Sequence, residues 1–195
     1  MFTRPGQAHR LFIAYDLPEE TREHLSHLAG SIALQERWAR PIAPDNLHAT
    51  VLFIGEVAPV HLDRMIPALF DTMRGAPVDT HLAGVGVRPS MQRARVIAAE
   101  YADPDGRVAA LAGRLAQTVT DTTGTVIAMR EAFWPHVTLA RLSRPSHVRR
   151  FPNSRGEHVF AFHRITLYDS YISSSGPRRY HALMTVPLDS QGERK

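Results

Sequence analysis

Two stretches a little under half the chain apart share one pattern: NLHATVLFIGE over 46–56 and FWPHVTLARLS over 133–143. Each sets a histidine and a threonine two positions apart in an apolar run, His48 with Thr50 and His136 with Thr138. Side chains alternate along a strand, so residues two apart point to one face. On strict alternation His48, Thr50, Leu52 and Ile54 lie on one side, with Ala49, Val51 and Phe53 on the other. Likewise His136, Thr138 and Ala140 share a face, and Val137, Leu139 and Arg141 take the opposite one. Two such strands predict an internal duplication, with two lobes packed face to face.

The rest of the chain supplies strands and helices in alternation. HRLFIAYDLP (9–18) reads as a strand closed by Pro18. The segment from Pro18 to Gln35 starts with proline and acids, then sets Leu25, Leu28 and Ile32 at helical spacing. Val60, Met65, Leu69 and Met73 predict a second helix, kinked or delayed by Pro67. Strands are expected near 78–88 and 94–102. A third helix carries the stripe Val108, Leu111, Leu115 and Val119, is capped by Asp103 or Asp105 and ends at Gly124. Strands follow near 126–130 and 136–142, then a loop over 143–157. Two long strands around a Ser/Gly/Pro turn at 173–177 complete the order, with a polar, frayed tail from about 188. Short helices alternating with strands imply an α+β or mixed α/β fold rather than an all-β barrel, and no linker separates independent domains.

Composition removes several kinds of chemistry. The 195 residues contain no cysteine, which rules out disulfides, thiolate zinc sites and thiol nucleophiles. Lys195 is the only lysine, so the other basic residues are arginines. A Walker A loop, a lysyl–nucleotide intermediate and Schiff-base chemistry all lack their lysine. The guanidinium groups that remain suit phosphates and stacked bases. A net charge of +4 is compatible with a polyanionic partner without demanding one. No apolar run approaches the ~18 residues of a membrane span, and the apolar stretch near the N-terminus is too short for a signal peptide. A soluble cytoplasmic protein is expected.

If the two strands face each other across a cleft, two imidazoles and two hydroxyls converge, and that set suits a phosphate. Threonine hydroxyls donate to non-bridging oxygens. One imidazole can deprotonate an attacking oxygen while the other protonates the leaving one. Histidine's ordinary pKa of about 6.5 allows both roles near neutrality. The spacing does not say which histidine is acid and which is base. A metal site is a weaker reading: neither motif brings a carboxylate, and threonine is a poor transition-metal ligand. A serine triad lacks its Gly-x-Ser-x-Gly elbow. His24 and His27, among polar neighbours, read as solvated.

HATV and HVTL resemble the His-x-Thr-x signatures of the 2H phosphoesterase superfamily, and the chain is similar to its RNA 2′,3′-cyclic phosphodiesterases, also called 2′-5′ RNA ligases. RLFIAYDLP, NLHATVLFIGEV, PHVTLAR and ITLYDSYISSSGPRRYHAL carry the likeness in the family's order. The resemblance implies a single bilobal domain over 1–195. In it, two pseudo-symmetric antiparallel sheets form a central cleft with helices outside. It implies hydrolysis of a 2′,3′-cyclic phosphate at an RNA 3′ end to a 2′-phosphate, without metal or cofactor, and reversible ATP-independent 2′-5′ ligation. Carried over, His48 is the proton donor, His136 the proton acceptor, and Thr50 and Thr138 hold phosphoryl oxygens. Arg141 matches a family arginine that balances phosphate charge, although strict alternation turns it away, and a strand end or bulge would restore it. Phe53, its counterpart, is expected to pack. Phe12, Tyr15 and Tyr171 are candidates to stack on a terminal base, and the arginines at 144, 149, 150 and 155 to follow the RNA backbone. No obligate protein partner is expected, and the chain is read as a monomer. Alternative readings are a phosphodiesterase acting on small cyclic nucleotides or ADP-ribose cyclic phosphate, and an RNA-end-binding module without catalysis.

Overall fold

The computed structural model describes residues 7–128, 132–148, 158–172 and 178–189. Its elements are β1 (His9–Asp16), α1 (Glu19–Gln35), β2 (Ala39–Pro41), β3 (His48–Val57), α2 (Leu62–Met73), β4 (Val78–Arg88) and β5 (Ala94–Tyr101). They are followed by α3 (Arg107–Thr123), β6 (His136–Ser146), β7 (Val159–Phe162), β8 (Arg164–Ile172) and β9 (Arg178–Pro187). All strand pairs are antiparallel, in the order β7-β4-β5-β6-β3-β1-β8-β9, with β2 on β6.

This path divides into two halves of four strands, β6-β5-β4-β7 and β3-β1-β8-β9. They meet at one residue pair, Ala49 with Val137. The two motif strands are thus the inner edges of the halves, and each central residue of a His-x-Thr triplet lies at the junction. The β1-α1-β3 and β5-α3-β6 units correspond. Each helix crosses over: α1 packs on β6 and β2 of the other half, and α3 on β3. The expected bilobal, pseudo-two-fold plan is therefore built from two antiparallel halves that share a single core.

The helices form where their apolar stripes demand burial. In α1, Leu25, Leu28 and Ile32 are buried with Thr21 and Ala29. In α3, Val108, Leu111, Leu115 and Val119 are buried as the spacing predicts, joined by Ala112 and Ala116. A fully buried leucine contributes roughly 2 kcal/mol. The start of α3 is fixed by Asp103, whose carboxylate accepts from the amides of Val108 (3.1 Å) and Ala109 (3.0 Å). The helix stops at Gly124, where φ is +75° and a side chain would be strained. In α2 the stripe begins at Leu62 rather than Val60, which is 80% exposed in a preceding 3-10 turn. Pro67 lies within α2 on its exposed side and does not delay it.

Several strand boundaries differ from expectation. Residues 126–128 are not in a strand, and 129–130 lie outside the described residues. β6 runs on to Ser146, into the expected loop, while 149–157 lie outside the described residues. The C-terminal region forms three strands, because β7 leaves to pair with β4. The turn at 173–177 lies outside the described residues. Leu188 is buried and its amide donates to His163 O at 2.8 Å, so the chain stays packed past Pro187. Among the described residues no helix is long and apolar enough to cross a membrane.

Candidate active site

The motif strands do not alternate strictly. Along β3, Thr50 pairs with Ala14 but Leu52 pairs with Ile13, and along β6 Thr138 pairs with Ala98 but Ala140 with Ile97. Two residues on the motif strand answer one on its neighbour, which is a β-bulge. Burial records it in both strands: positions 48–54 and 136–142 follow the same sequence of partly exposed and buried residues, with two successive buried positions in the middle. Leu52 and Ile54 therefore turn into the core, and so does Ala140, contrary to strict alternation. Phe53 and Arg141 turn to the histidine face instead.

That face carries His48, Thr50, His136 and Thr138, all partly exposed, beside the fully buried Ala49 and Val137. Antiparallel pairing at 49 and 137 sets His48 and Thr138 on one side of the junction and Thr50 and His136 on the other. A cleft of about 590 Å³ opens here, walled by His48, Thr50 and Arg141 together with Arg10, Phe12, Phe53, Ser170, Tyr180, Pro41, Ile42, Ala43 and Asn46. His136 and Thr138 stand on the adjoining strand across the junction.

Each imidazole is held by the backbone that leads into its strand. Nδ1 of His48 lies 2.7 Å from Asn46 O, and Nδ1 of His136 lies 2.7 Å from Trp134 O. A carbonyl only accepts, so Nδ1 is the donor in both rings. The nitrogen left for proton exchange is Nε2. The two rings thus have the same tautomer, fixed by the carbonyl two residues upstream.

Each histidine also faces an acid across its strand pair. Across β1–β3, Asp16 pairs with His48, and across β5–β6, Glu100 pairs with His136. Asp16 accepts from Tyr168 Oη at 2.7 Å and Thr166 Oγ1 at 3.2 Å, and Arg164 Nε lies 3.4 Å away. Glu100 accepts from Trp134 Nε1 at 2.8 Å, and Trp134 stacks on His136 at 3.9 Å between ring centroids. Arg88 sits over the same indole, 4.1 Å from its centroid. A side chain at Gly86 would strike the Glu100 carboxylate, so glycine there makes room for it. His48 packs instead against Phe12 (4.9 Å) and the edge of Tyr180 (5.2 Å).

Burial pushes His48 down to about 4; the positive fields of His136 and Arg141 add to this, while the Asn46 hydrogen bond and Asp16 oppose it. His136 is also held below its ordinary value, first by burial and then by Arg88 and Arg141, against the Trp134 carbonyl and Glu100. Near neutrality both imidazoles are therefore uncharged, in reach of each other's field and beside an arginine. An anion in the cleft reverses that balance by favouring the imidazolium.

Other candidates divide. Phe12 is buried but lies in the cleft wall. Tyr15 is a core residue, 1% exposed and stacked on Phe162 at 4.6 Å, and so is closed to a ligand. Tyr171 pairs with Arg179 on β8–β9. Phe53 is 50% exposed and forms the wall rather than packing, with Arg10 over its ring at 4.8 Å. Arg144 is on β6, while Arg149, Arg150 and Arg155 lie outside the described residues. His24 is exposed, stacked on His158 at 4.7 Å. Among the described residues no three His, Cys, Asp or Glu side chains cluster in a way that could hold a metal ion. Asp16, Glu100, Trp134, Tyr168 and Tyr180 were not foreseen. The available signal was an acid in an otherwise apolar strand, as in IAAEY.

Paired imidazoles and hydroxyls on a curled antiparallel sheet define a phosphoesterase-type site, and the model of the LigT-like phosphoesterases matches residues 16–98. The RNA 2′,3′-cyclic phosphodiesterase of Escherichia coli K12 is 30% identical over 178 residues, 91% of this chain and 96% of that protein. The RNA 2′,3′-cyclic phosphodiesterase of Methanothermobacter thermautotrophicus is 34% identical over 89 residues, 45% of this chain and about half (48%) of that one. The crystal structure of apo E. coli LigT superposes with a TM-score of 0.75 at 27% identity, covering 94% of this chain and 99% of that chain. The chain belongs to the RNA 2′,3′-cyclic phosphodiesterase family, whose members are cyclic phosphodiester hydrolases.

Proposed function

We propose that the cleft hydrolyses a 2′,3′-cyclic phosphate at an RNA 3′ end, with His136 as general base and His48 as general acid. Water attacks phosphorus and gives its proton to Nε2 of His136. The bond from phosphorus to O3′ breaks, and O3′ takes the proton from Nε2 of His48. The products are a 2′-phosphate and a 3′-hydroxyl, and solvent returns both rings to their starting states. Thr50 and Thr138 donate to the non-bridging oxygens, and Arg141 balances their charge. The observation that carries this reading is the shared tautomer: both rings keep Nδ1 on a backbone carbonyl and so leave Nε2 for exchange. The phosphodiester anion itself supplies the field that lets His48 hold a proton near neutrality.

A 5′-hydroxyl in place of water gives 2′-5′ ligation in the same site. The chain is read as one catalytic domain, competent as a monomer because it carries both motif strands, and as a cytoplasmic enzyme. The test is product analysis on an oligonucleotide ending in a 2′,3′-cyclic phosphate, with EDTA present. A 2′-phosphate product, lost on replacement of either histidine, is expected. No turnover, or turnover that survives His48→Ala combined with His136→Ala, defeats the reading.

A further inference from the structure

Beyond the cleft, β6 continues past Arg141, and the sheet changes there. Val96 of β5 pairs with Arg141 and Ala94 with Ser146, so five steps along β6 answer two along β5. The extra length swells out of the ladder and presents Arg144, which is exposed. On its other edge β6 carries the short β2, where Arg40 pairs with Arg141, and the Ser143 amide donates to Trp38 O at 3.0 Å. Trp38 is thereby fixed next to Arg144, whose guanidinium lies 3.8 Å from the indole centroid, while that of Arg37 lies at 4.9 Å. A shallow trough of about 650 Å³ includes Arg37, Trp38, Arg144 and His147, with Glu36 as its one acid.

We propose that this trough holds the single-stranded RNA immediately upstream of the terminal phosphate, as a second subsite continuous with the cleft. The proposal rests on the RNA-end reading above and deepens it. Three observations carry it. Arg40 and Arg141 are opposite one another across β2–β6, two cations in register, and Arg141 is already in the cleft wall. Arg144 follows Arg141 by three residues on the same strand, at most about 10 Å of chain at ~3.3 Å each, a short step for a nucleotide chain. Finally, guanidinium groups set over an indole make a broad cationic π surface, which accepts any base by stacking and any phosphate by charge. Arg37 and Arg144 make no salt bridge among the described residues, so their charge faces outward. A protein partner would need an acidic surface, whereas RNA brings charge and flat rings together.

The test compares Arg144→Glu and Trp38→Ala with the wild type on two substrates, a nucleoside 2′,3′-cyclic phosphate and an oligonucleotide of about eight residues with the same end. KM for the oligonucleotide is expected to rise roughly 5- to 100-fold, while kcat/KM on the mononucleotide stays within about twofold. Arg144→Glu is exposed, so it separates the effect from any folding defect of the tryptophan variant. Equal losses on both substrates, or no loss on either, overturn the proposal. Failure of the catalytic reading is distinguished by binding of a fluorescent single-stranded RNA with an ordinary 3′-hydroxyl. Weaker binding by Arg144→Glu, with a salt slope smaller by about one, supports the trough whether or not turnover occurs. Equal affinity overturns it and leaves the face to a protein.

Discussion

His48 and His136 are alike in tautomer and unlike in surroundings, and the difference is measurable. Replacing either by alanine is expected to lower kcat by at least ~100-fold on the oligonucleotide, the lower end for loss of a general acid or base. Burial holds both rings below the ordinary histidine value. The kcat/KM profile should therefore be bell-shaped with its optimum on the acid side of 6.5, the limbs belonging to the pair rather than to one ring. The kcat profile should sit at higher pH, because bound phosphodiester favours the imidazolium. Glu100 opposes the downward shift of His136. Glu100→Gln removes a negative charge and retains an acceptor for Trp134, so it should move the profile of the pair to lower pH. An unmoved profile would reduce Glu100 to a packing role.

At the level of strands and helices, much was legible in the sequence and the failures had local causes. The stripe of α3 and its glycine stop follow from spacing and φ, and the structure repeats them. The Asp103 cap leads to a direct expectation. Asp103→Ala strips two hydrogen bonds from the first turn of α3 and should cost about 1 kcal/mol, read as a lowered Tm with kcat retained. Face assignment beyond the threonines failed because alternation is a rule for regular ladders, and both motif strands carry a bulge. Nothing in HATVLF or HVTLAR marks the extra residue; it emerges from pairing with β1 and β5. The acids beside the histidines were hidden for the same reason. Asp16 and Glu100 become neighbours of His48 and His136 only through strand register, which composition does not encode. β7 was merged with its successor because its partner, β4, is distant in sequence.

For the molecule as a whole, burial of the site has a stability consequence. Above pH 6.5 His48 is neutral folded and unfolded. Between 6.5 and about 4 the unfolded chain binds a proton that the native site refuses, so stability falls as pH drops through that window and levels off below it. The loss across the whole window is on the order of 3 kcal/mol. Denaturant titrations at pH 7 and 4.5 should show it, and His48→Gln should flatten the dependence. Inorganic phosphate in the cleft should oppose it. The near-two-fold plan has one further result. A cleft built from equivalent strands alone would look the same from either end. Phe53 and Arg141 hold corresponding places beyond the two threonines, yet one is an apolar ring and the other a cation. Those unlike occupants, together with β2 on one half alone, give a nearly symmetric scaffold a head and a tail.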